Sequence, residues 1–400
     1  MAAPKLAIIT SHPIQYYAPV FRALTQLGTV NVRVFYTWSQ AGDGPTFDRD
    51  FCSAVTWDIP LLAGYGYQFV KNVSDLPGTH HFSGIKNPTL IREIEQWGAE
   101  ILLVFGWFAH AHLKAMRHFK NRIPVLFRGD STLLDQKPAW RTFLRRAFLR
   151  WVYRHIDVAL AVGTNSRDYF EWCGVSPSDI FVIPHSIDTA RFTADGASRQ
   201  HRADEWRREL GIDAESVVLL FAGKFQEKKD PCLLLAAFVA FQARPRAFKS
   251  ELLFVGNGEL AGQLRALAGA RTDVHFLPFQ NQSVMPLIYR LADVFVLPSQ
   301  GPGETWGLAL NEAIACGRVV VASSNVGGAR DLIKPGVDGW TFEARNLPAL
   351  QQILGRAASM GRPALLQMGA SAQRFSDDWS AQRCAARIAE VVSNACAGNG

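Results

Sequence analysis

The stretch LPSQGPGETWGLALNEAIACGRVVVASSNVGGARDLIKPGVDGWTF, residues 297–342, contains the pattern that decides the fold. A short apolar strand ends at Leu297, a glycine-rich loop leads into a helix start at Gly307 and Leu308, and a second apolar strand follows at Val319–Ala322. Apolar strands that alternate with helices predict a parallel sheet with crossover helices.

The same alternation continues on both sides of this stretch. The remaining strands are predicted at Leu6–Thr10, Val32–Tyr36, Ile101–Phe105, Pro124–Arg128, Val158–Val162, Ile180–Pro184, Val217–Ala222, Glu251–Val255, Val274–Leu277 and Val294–Leu297. Helices are predicted in the gaps, for example at Thr89–Trp97, Pro138–His155 and Pro231–Phe241. The polar run at Ile187–Trp206 predicts a linker or domain entry. A chain of 400 residues is therefore expected to form two doubly wound α/β domains, with ligands bound beyond the carboxyl ends of the strands in a cleft between them.

Composition limits the classes of function. A hydrophobic content of 48% and a charged content of 19% are ordinary for a soluble globular protein. No apolar run approaches the roughly 20 residues that span a bilayer, and MAAPKLAIITSHP predicts a first strand rather than a signal peptide. Scattered cysteines without a CxxC pair indicate free thiols in a reducing cytoplasm. The net charge of +7 favours phosphorylated ligands or an anionic membrane, and nucleic acid is not expected because no module that binds it is found.

Two carboxylates eight positions apart, Glu304 and Glu312, flank the predicted helix start. On one continuous helix their side chains would point about 80° apart, whereas a loop position for Glu304 lets both turn toward one ligand. Backbone N–H groups at Gly307 and Leu308 would favour phosphate or sugar oxygens. The pair therefore suits a ligand with hydroxyls and phosphates, such as a nucleotide sugar. An ordinary helix start with a glutamate favoured by the helix dipole explains it equally well.

Cations and glycines follow two strands upstream. Gly223 and Lys224 come directly after one strand and Lys229 follows, so that two cations at a strand-to-helix turn are placed to neutralise a diphosphate. In isolation a solvated lysine cluster is the simpler interpretation. The next strand ends in Gly256-Asn257-Gly258, whose glycines permit a tight turn and the close approach of a ligand, although such a motif alone is more often only a turn.

Residues 217–345 contain, in order, the motifs AGKFQEKKDP, FVGNGEL, VHFLPFQNQSVMPLIYRLADVFVLPS, GETWGLALNEA and GGARDLIKPGVDGWTF. This set resembles the retaining GT-B glycosyltransferases of the E-x7-E family (glycosyl transferases group 1, family 4), and the ordered set is far more specific than any single motif. In the first half, AVGTNSRDYFEWCGVSPSDIFVIPHSIDTARF is similar to the family segment that enters the second domain. The resemblance implies an acceptor-binding Rossmann-like domain at 1–190, a nucleotide-sugar-binding one at 191–378, and a C-terminal helix, from about 379 to 400, that packs back on the first domain.

The resemblance also implies roles for the matching residues. Glu304 would engage hydroxyls of the transferred sugar, Glu312 would bind the nucleotide ribose, and Lys224 and Lys229 would hold the diphosphate. Further donor contacts would come from Gly223, Gly256, Asn257, Gly258, Trp306, Gly307 and Leu308, the last three through their backbone amides.

Two parts of the chain depart from the family pattern. The loop between Ser299 and Glu304 is longer, and the position near Asp130 often carries histidine in the family. The first strand-to-helix loop, TSHPIQYYAP, lacks the usual glycines and offers His12 directly after the strand, so His12 and Asp130 are candidates for catalysis; a local cap is the alternative for His12. The remaining acceptor-side candidates are Gln15, Tyr16, Trp107, His110 and Arg128. No metal site is expected, because the histidines lack ligand spacing.

The segment PAWRTFLRRAFLRWVYRHID, residues 138–157, is the strongest charge feature. Its arginines recur at helical spacing and alternate with aromatic residues. The preferred interpretation is a domain helix whose aromatic residues pack inward and whose arginine face is solvated. Because basic amphipathic helices also lie on anionic membranes, peripheral contact with the cell membrane through residues 138–155 is the second interpretation.

These observations predict a cytoplasmic, retaining, hexosyltransferase-type glycosyltransferase of cell-envelope glycan, polysaccharide or glycolipid synthesis. Its donor is expected to be a UDP-sugar rather than a GDP-sugar, its acceptor a glycan or lipid-linked hydroxyl, and it should need no cofactor or metal. Three alternatives stay open: a GT-B sugar-nucleotide epimerase, a phosphorylase that uses pyridoxal phosphate, and a non-catalytic protein that binds nucleotide sugars. No context for a Schiff-base lysine is found, and the intact glutamates and lysines argue against the non-catalytic protein.

Overall fold

The computed structural model describes residues 3–38, 46–48, 53–135, 139–243 and 249–397. Contacts divide the chain into two compact units: unit 1 is Met1–Thr46, Pro60–Ser186 and Ser380–Gly400, and unit 2 is Phe47–Ile59 and Ile187–Trp379. These boundaries differ from the predicted ones by a few residues, except that Phe47–Ile59 groups with unit 2.

The strands are β1 (Lys5–Thr10), β2 (Asn31–Tyr36), β3 (Thr46–Asp48), β4 (Ser53–Val55), β5 (Gly66–Phe69), β6 (Ile101–Phe105), β7 (Val125–Gly129), β8 (Val158–Ala161), β9 (Ile180–Val182), β10 (Val217–Ala222), β11 (Ser250–Val255), β12 (Val274–Leu277), β13 (Val294–Leu297), β14 (Val319–Ser323) and β15 (Gly339–Phe342). The α-helices are α1 (Ala18–Leu27), α2 (Leu90–Trp97), α3 (His110–Phe119), α4 (Ala139–Tyr153), α5 (Thr164–Trp172), α6 (Thr189–Thr193), α7 (Gly196–Glu209), α8 (Pro231–Gln242), α9 (Ala261–Ala268), α10 (Met285–Arg290), α11 (Leu308–Ala315), α12 (Ala329–Leu332), α13 (Leu347–Gln373) and α14 (Ala381–Ala397).

Unit 1 is built on a seven-stranded sheet in the order β5-β2-β1-β6-β7-β8-β9. Its strand pairs are parallel. Successive side chains of a strand point to opposite faces, and in β1 Leu6 and Ile8 join one apolar cluster whereas Ala7 and Ile9 join another. Both faces of the sheet are therefore covered, as a doubly wound fold requires.

Helix α14 completes one face of unit 1. Its residues Ala381, Cys384, Ile388 and Val392 belong to the same buried cluster as Leu6 of β1. The chain thus returns to unit 1 after it has formed unit 2, which confirms the predicted packing of the C-terminal helix.

Unit 2 contains a six-stranded parallel sheet in the order β12-β11-β10-β13-β14-β15. All six residues of β10 are buried, as expected for a parallel strand with both faces covered. Chain order reverses between β10 and β13 here, and between β1 and β6 in unit 1. The predicted fold class, two parallel Rossmann-like α/β domains, is confirmed.

The polar run at Ile187–Trp206 begins at the boundary between the two units, as predicted for a domain entry, but it forms α6 and most of α7 within unit 2 rather than an extended linker. Within the run, Phe192 and Ala203 are buried, and the ring of Phe192 contacts that of Tyr289. Arg207 of α7 is buried, and its guanidinium lies 3.3 Å from the carboxylate of Asp293, the residue before β13.

The inward packing predicted for the aromatic residues of the basic helix is wrong for much of α4. Trp140 is 62% exposed, Phe143 71% and Phe148 46%, whereas Tyr153 is buried. The buried face of α4 consists of Leu149, Val152 and Tyr153. The first half of the helix therefore presents apolar side chains to solvent; Pro138 lies outside the described residues.

Within the described ranges, no helix combines the length and the apolar composition that a membrane crossing requires. The cysteines that the structure describes as free thiols are Cys173, Cys232, Cys316, Cys384 and Cys396.

Candidate functional site

The reversal of strand order in unit 2 brings two predicted residues into contact. Strands β10 and β13 are neighbours, so the loops that follow them lie at the same edge of the sheet, where open parallel sheets bind ligands. Lys229 lies in the first loop and Glu304 in the second, and Lys229 Nζ donates a hydrogen bond of 2.8 Å to Glu304 Oε2. A cation and a carboxylate 75 positions apart in sequence are thus direct partners.

Glu304 lies in the loop before α11, because the helix begins only at Leu308. Its side chain is 11% exposed and that of Lys229 17%, and its carboxylate also accepts a hydrogen bond of 3.1 Å from Ser299 Oγ. Burial alone would raise the pKa of Glu304, but the charge and hydrogen bond of Lys229, with help from Ser299 and Lys228, outweigh burial and hold the pKa below its usual value. The carboxylate of Glu304 is therefore ionised at neutral pH.

A glycine turn before α12 fixes the Glu304 loop. Gly327 N donates to Glu304 O at 3.0 Å, and Gly328 N donates to Trp306 O at 2.8 Å. A Cβ atom on Gly327 would lie 1.8 Å from Thr305 O, so only glycine allows the two backbones to come this close.

Glu312, the second predicted glutamate, lies on α11 and is buried. Its Oε2 accepts a hydrogen bond of 2.7 Å from the hydroxyl of Tyr289, on α10. Trp306 is also buried, and its indole N–H donates to Asn311 Oδ1 at 2.9 Å. The side chain of Trp306 therefore supports α11, and its predicted donor contact would involve the backbone alone.

The turns that follow β10 and β11 are packed against each other. Phe225 N donates to Asn257 O at 2.8 Å. A Cβ atom on Gly256 would lie 2.0 Å from Gly223 O, and one on Gly258 would lie 2.6 Å from Phe225 O. The glycines are thus needed to join the two turns; the predicted nucleotide contacts of Gly223, Gly256, Asn257 and Gly258 stay predictions, as does the diphosphate contact of the partly buried Lys224.

In unit 1, the predicted His12 follows β1 at the corresponding reversal. Its Nδ1 lies 2.9 Å from Ser11 Oγ, and its ring packs edge-on against Trp38 with centroids 5.4 Å apart. Burial lowers the pKa of His12 to about 4, so the imidazole is neutral at pH 7 and offers one donor and one acceptor.

His112 supports the neighbouring strand end, although its sequence pattern predicts an ordinary helix residue. Its Nδ1 lies 2.8 Å from the carbonyl of Gly106, which can only accept, so Nδ1 carries the proton. Its Nε2, 2.9 Å from the hydroxyl of Thr37, then accepts. Burial lowers the pKa of His112 to about 4, so this neutral tautomer fixes the turn that leads to Trp107.

Arg128 and Asp130 belong to a cluster at the end of β7. Arg128 is buried and donates to the carbonyls of Ile183, at 3.2 Å, and Pro184, at 2.8 Å, so its guanidinium supports the end of β9. Burial, reinforced by the charge of Arg128, lowers the pKa of His185 to about 3, and the charge of Asp130 opposes this shift. Asp130 is therefore close to a neutral histidine and a buried guanidinium.

The other acceptor-side candidates occupy the same edge of the unit 1 sheet. Gln15 and Tyr16 lie partly buried in the turn before α1. Trp107 follows β6, partly buried against a core cluster, and the exposed His110 begins α3 with its ring 5.9 Å from that of Phe82. Among the described side chains, no group of three or more His, Cys, Asp or Glu residues is arranged to hold a metal ion.

Sequence reasoning missed three residues that hold these groups: Ser299, Tyr289 and His112. Ser299 could have been found, because it lies two residues after the end of β13, at the start of the loop that carries Glu304. Tyr289 and His112 lie on helices and their patterns are those of core residues, so only the fold shows their partners.

The two halves of the chain match two family models. Residues 202–374 match the model described as "Glycosyl transferases group 1", and residues 20–191 match "Glycosyltransferase Family 4".

Known relatives give partial matches. The chain is 31% identical over 248 residues to the D-inositol 3-phosphate glycosyltransferase of Salinispora arenicola, which covers 59% of this chain and 54% of the relative. It is 34% identical over 224 residues to the protein of the same name from Geodermatophilus obscurus, with 54% and 47% covered. The chain thus spans about half the length of the relatives it matches.

Solved structures share the fold along nearly the whole chain. Anabaena HepE in complex with UDP superposes with a TM-score of 0.72 at 18% identity, covering 98% of this chain and 100% of that one. WaaG, a glycosyltransferase involved in lipopolysaccharide biosynthesis, gives a TM-score of 0.64 at 16% identity, covering 96% and 99%. With both halves matched in sequence and the architecture matched in structure, the chain belongs to the GT-B glycosyltransferases of the group 1 and family 4 type.

Proposed function

We propose that the protein transfers a sugar from a nucleotide-sugar donor to an acceptor hydroxyl, with retention at the anomeric carbon. The observation that carries this proposal is the Lys229–Glu304 pair, 2.8 Å apart at the strand reversal of unit 2 and next to the start of α11. A solved neighbour, Anabaena HepE, is described in complex with UDP-glucose, which favours a UDP-sugar.

The Lys229–Glu304 pair accounts for how each of these two buried charges has a partner both before and after the donor binds. Without donor, Lys229 and Glu304 neutralise each other in a site where each is mostly buried. A donor brings a diphosphate for Lys229 and Lys224 and sugar hydroxyls for Glu304, so each ion exchanges one partner for another. First-turn N–H groups of a helix have no partner within the helix, and those of α11 would add donors for the diphosphate.

Charge movement during transfer defines the catalytic task. The bond between the anomeric carbon and the diphosphate oxygen breaks, the acceptor oxygen bonds to the same face of that carbon, and the acceptor proton passes to the departing phosphate oxygen. Lysine ammonium groups stabilise the negative charge that grows on the diphosphate. In this scheme Glu304 orients the sugar, and Glu312 would exchange its bond with Tyr289 for the ribose.

The acceptor is assigned to unit 1, where His12 offers a neutral donor and acceptor at the end of β1. The relatives named for D-inositol 3-phosphate suggest a hydroxyl-rich acceptor with an anionic group. A cell-envelope glycan or lipid-linked acceptor meets that description.

A donor screen tests the proposal. UDP- and GDP-sugars are incubated with and without cell-envelope extract, and released nucleotide is measured. Glu304→Gln and Lys229→Met should each lower release by about 10²- to 10³-fold, as expected for loss of a preorganised donor or its partner. Lys249→Met is the control, because Lys249 is 76% exposed and pairs with Asp213 at 3.5 Å on the surface of the same unit.

Other outcomes would change the assignment. Conversion of the donor without acceptor would indicate the epimerase, and donor binding without turnover in any extract would indicate a non-catalytic protein. Full release by both site variants would refute the proposed donor site. An NMR spectrum of the product that shows inversion at the anomeric carbon would refute retention alone.

A further inference from the structure

Unit 1 contains an apolar pocket that the proposed donor site does not use. It has a volume of about 640 Å³, within the range of ligand-binding pockets. Its apolar lining consists of Phe82, Trp107, Phe108, Leu113, Phe148 and Trp151. These side chains come from the short 3-10 helix Phe82–Gly84, from the loop after β6, from α3 and from α4, so the pocket borders the predicted acceptor residue Trp107.

The charged residues that line this pocket are cationic. Lys114 and Arg117, both exposed on α3, contribute to its wall together with His110. The guanidinium of Arg117 lies 5.6 Å from the ring centroid of Trp151, which holds one cation over an aromatic wall. An apolar pocket with a cationic rim matches a ligand with a hydrocarbon chain and an anionic head.

The exposed face of α4 extends this pocket. Trp140, Leu144 and Phe148 are spaced four residues apart and Phe143 lies three residues after Trp140, which places all four along one side of the helix. All four are more than 45% exposed, and Phe148 also lines the pocket. Contiguous exposed apolar side chains on a soluble domain mark interaction surfaces.

The positive charge of α4 favours an anionic partner. Residues 139–153 contain four arginines and no acidic residue. Arginines beside exposed aromatic residues complement an anionic bilayer, in which the rings enter the interface and the guanidinium groups meet the lipid phosphates. If a second copy of the protein bound here through the same face, the arginines of the two α4 helices would face each other and repel.

We propose that the pocket and the exposed face of α4 form one binding surface for an anionic lipid bilayer, with a single lipid chain in the pocket and its phosphate against Lys114 and Arg117. This inference goes beyond the transfer reaction and does not depend on it. A bilayer is the partner that fits best, because positive charge and exposed apolar side chains coincide on this one surface.

Co-sedimentation of the intact protein with vesicles tests the surface. Binding is expected to vesicles of phosphatidylcholine with phosphatidylglycerol, to be much weaker with phosphatidylcholine alone, and to fall at about 1 M salt, where charges are screened within about 3 Å. The double variant Phe143→Ser/Leu144→Ser should weaken binding at least about tenfold, and Arg141→Gln about fivefold. Leu267→Ser is the matched control, because Leu267 is 57% exposed on α9 of unit 2.

A soluble probe tests the pocket. Dodecyl phosphate should change the fluorescence of Trp107 and Trp151 and bind more weakly to Lys114→Gln, whereas inorganic phosphate alone should not compete. Competition by inorganic phosphate at equal concentration would overturn the chain site. The bilayer surface would be overturned if Phe143→Ser/Leu144→Ser bound vesicles as well as the native protein does. It would also be overturned if the native protein were a dimer in solution and this variant a monomer. Neither measurement involves sugar transfer. A protein that binds vesicles but transfers no sugar would therefore support this inference while contradicting the proposed function.

Discussion

Replacing Lys229 by methionine removes the charge that faces Glu304 while it keeps a side chain of similar length. The side chain of Glu304 is 11% exposed, and after the substitution the hydroxyl of Ser299 still donates to its carboxylate at 3.1 Å. We expect the variant to lose stability in unit 2, because a buried carboxylate is left without its closest cation.

The magnitude follows from the burial of the pair. Removing one partner of a buried ion pair costs about 3–5 kcal/mol, and the partial exposure of Lys229, 17%, favours the lower end. A loss of about 3 kcal/mol lowers the melting temperature of a domain of this size by about 6–12 °C. Glu304→Gln should lose less, and the double variant Lys229→Met/Glu304→Gln should recover part of the loss, with a coupling free energy of about 1–3 kcal/mol.

The pH dependence provides a second measurement. In the native protein the pKa of Glu304 is lowered, so its contribution to stability is present above the unfolded pKa and is lost as pH falls through the folded pKa. In Lys229→Met burial dominates and raises the pKa of Glu304, so stability falls as pH rises through that higher value. The difference between native protein and variant should therefore be large at pH 7–8 and small near pH 4.

Thermal unfolding followed by circular dichroism measures both quantities, with Lys249→Met as the exposed control. The reasoning is refuted if the two single variants are additive within about 0.5 kcal/mol, or if the loss in Lys229→Met is the same at both ends of the pH range.

Three further predictions concern single positions. Tyr289→Phe should cost about 1–3 kcal/mol in a thermal-shift assay, because it removes the hydroxyl that donates to the buried Glu312; an unchanged melting temperature would contradict this. Gly256→Ala should destabilise far more than Gly262→Ala in the same assay, since its Cβ would lie 2.0 Å from a carbonyl oxygen whereas that of Gly262 meets nothing within 4 Å. His12 should titrate near pH 4 in an NMR experiment, and its contribution to stability should be lost as pH falls from about 6.5 through 4; a midpoint near 6.5 would show that the ring is solvated.

Sequence patterns predicted the buried strands well and the exposed ones poorly. Strands β6, β10 and β13 begin and end where the apolar runs predicted, because their side chains are buried on both faces. Strand β5, GYQF, was missed because it is a largely exposed edge strand, and β15, GWTF, because four residues after a turn do not form a recognisable apolar run.

The candidate site was predictable where a residue lies in a loop that follows a strand beside the reversal of strand order. Lys229 and Glu304 meet that condition, and alternation of strands and helices is sufficient to place both at one sheet edge. The partner of Glu312 was not predictable, since Tyr289 lies on another helix and its choice depends on how α10 packs against α11. Local periodicity defines elements but carries no information on which helices become neighbours.

Because α14 packs in unit 1, the core of unit 1 can be completed only after unit 2 has been synthesised. Domains generally fold as they emerge, the N-terminal one first, yet unit 1 lacks part of one core face until Ala381, Cys384 and Ile388 have been synthesised. Residues 187–379, nearly all of unit 2, leave the ribosome before that helix does. Until α14 is synthesised, unit 1 therefore exposes the apolar surface that this helix covers in the folded protein. A nascent chain that stalls shortly before α14 should accordingly bind chaperones more than the full-length chain does.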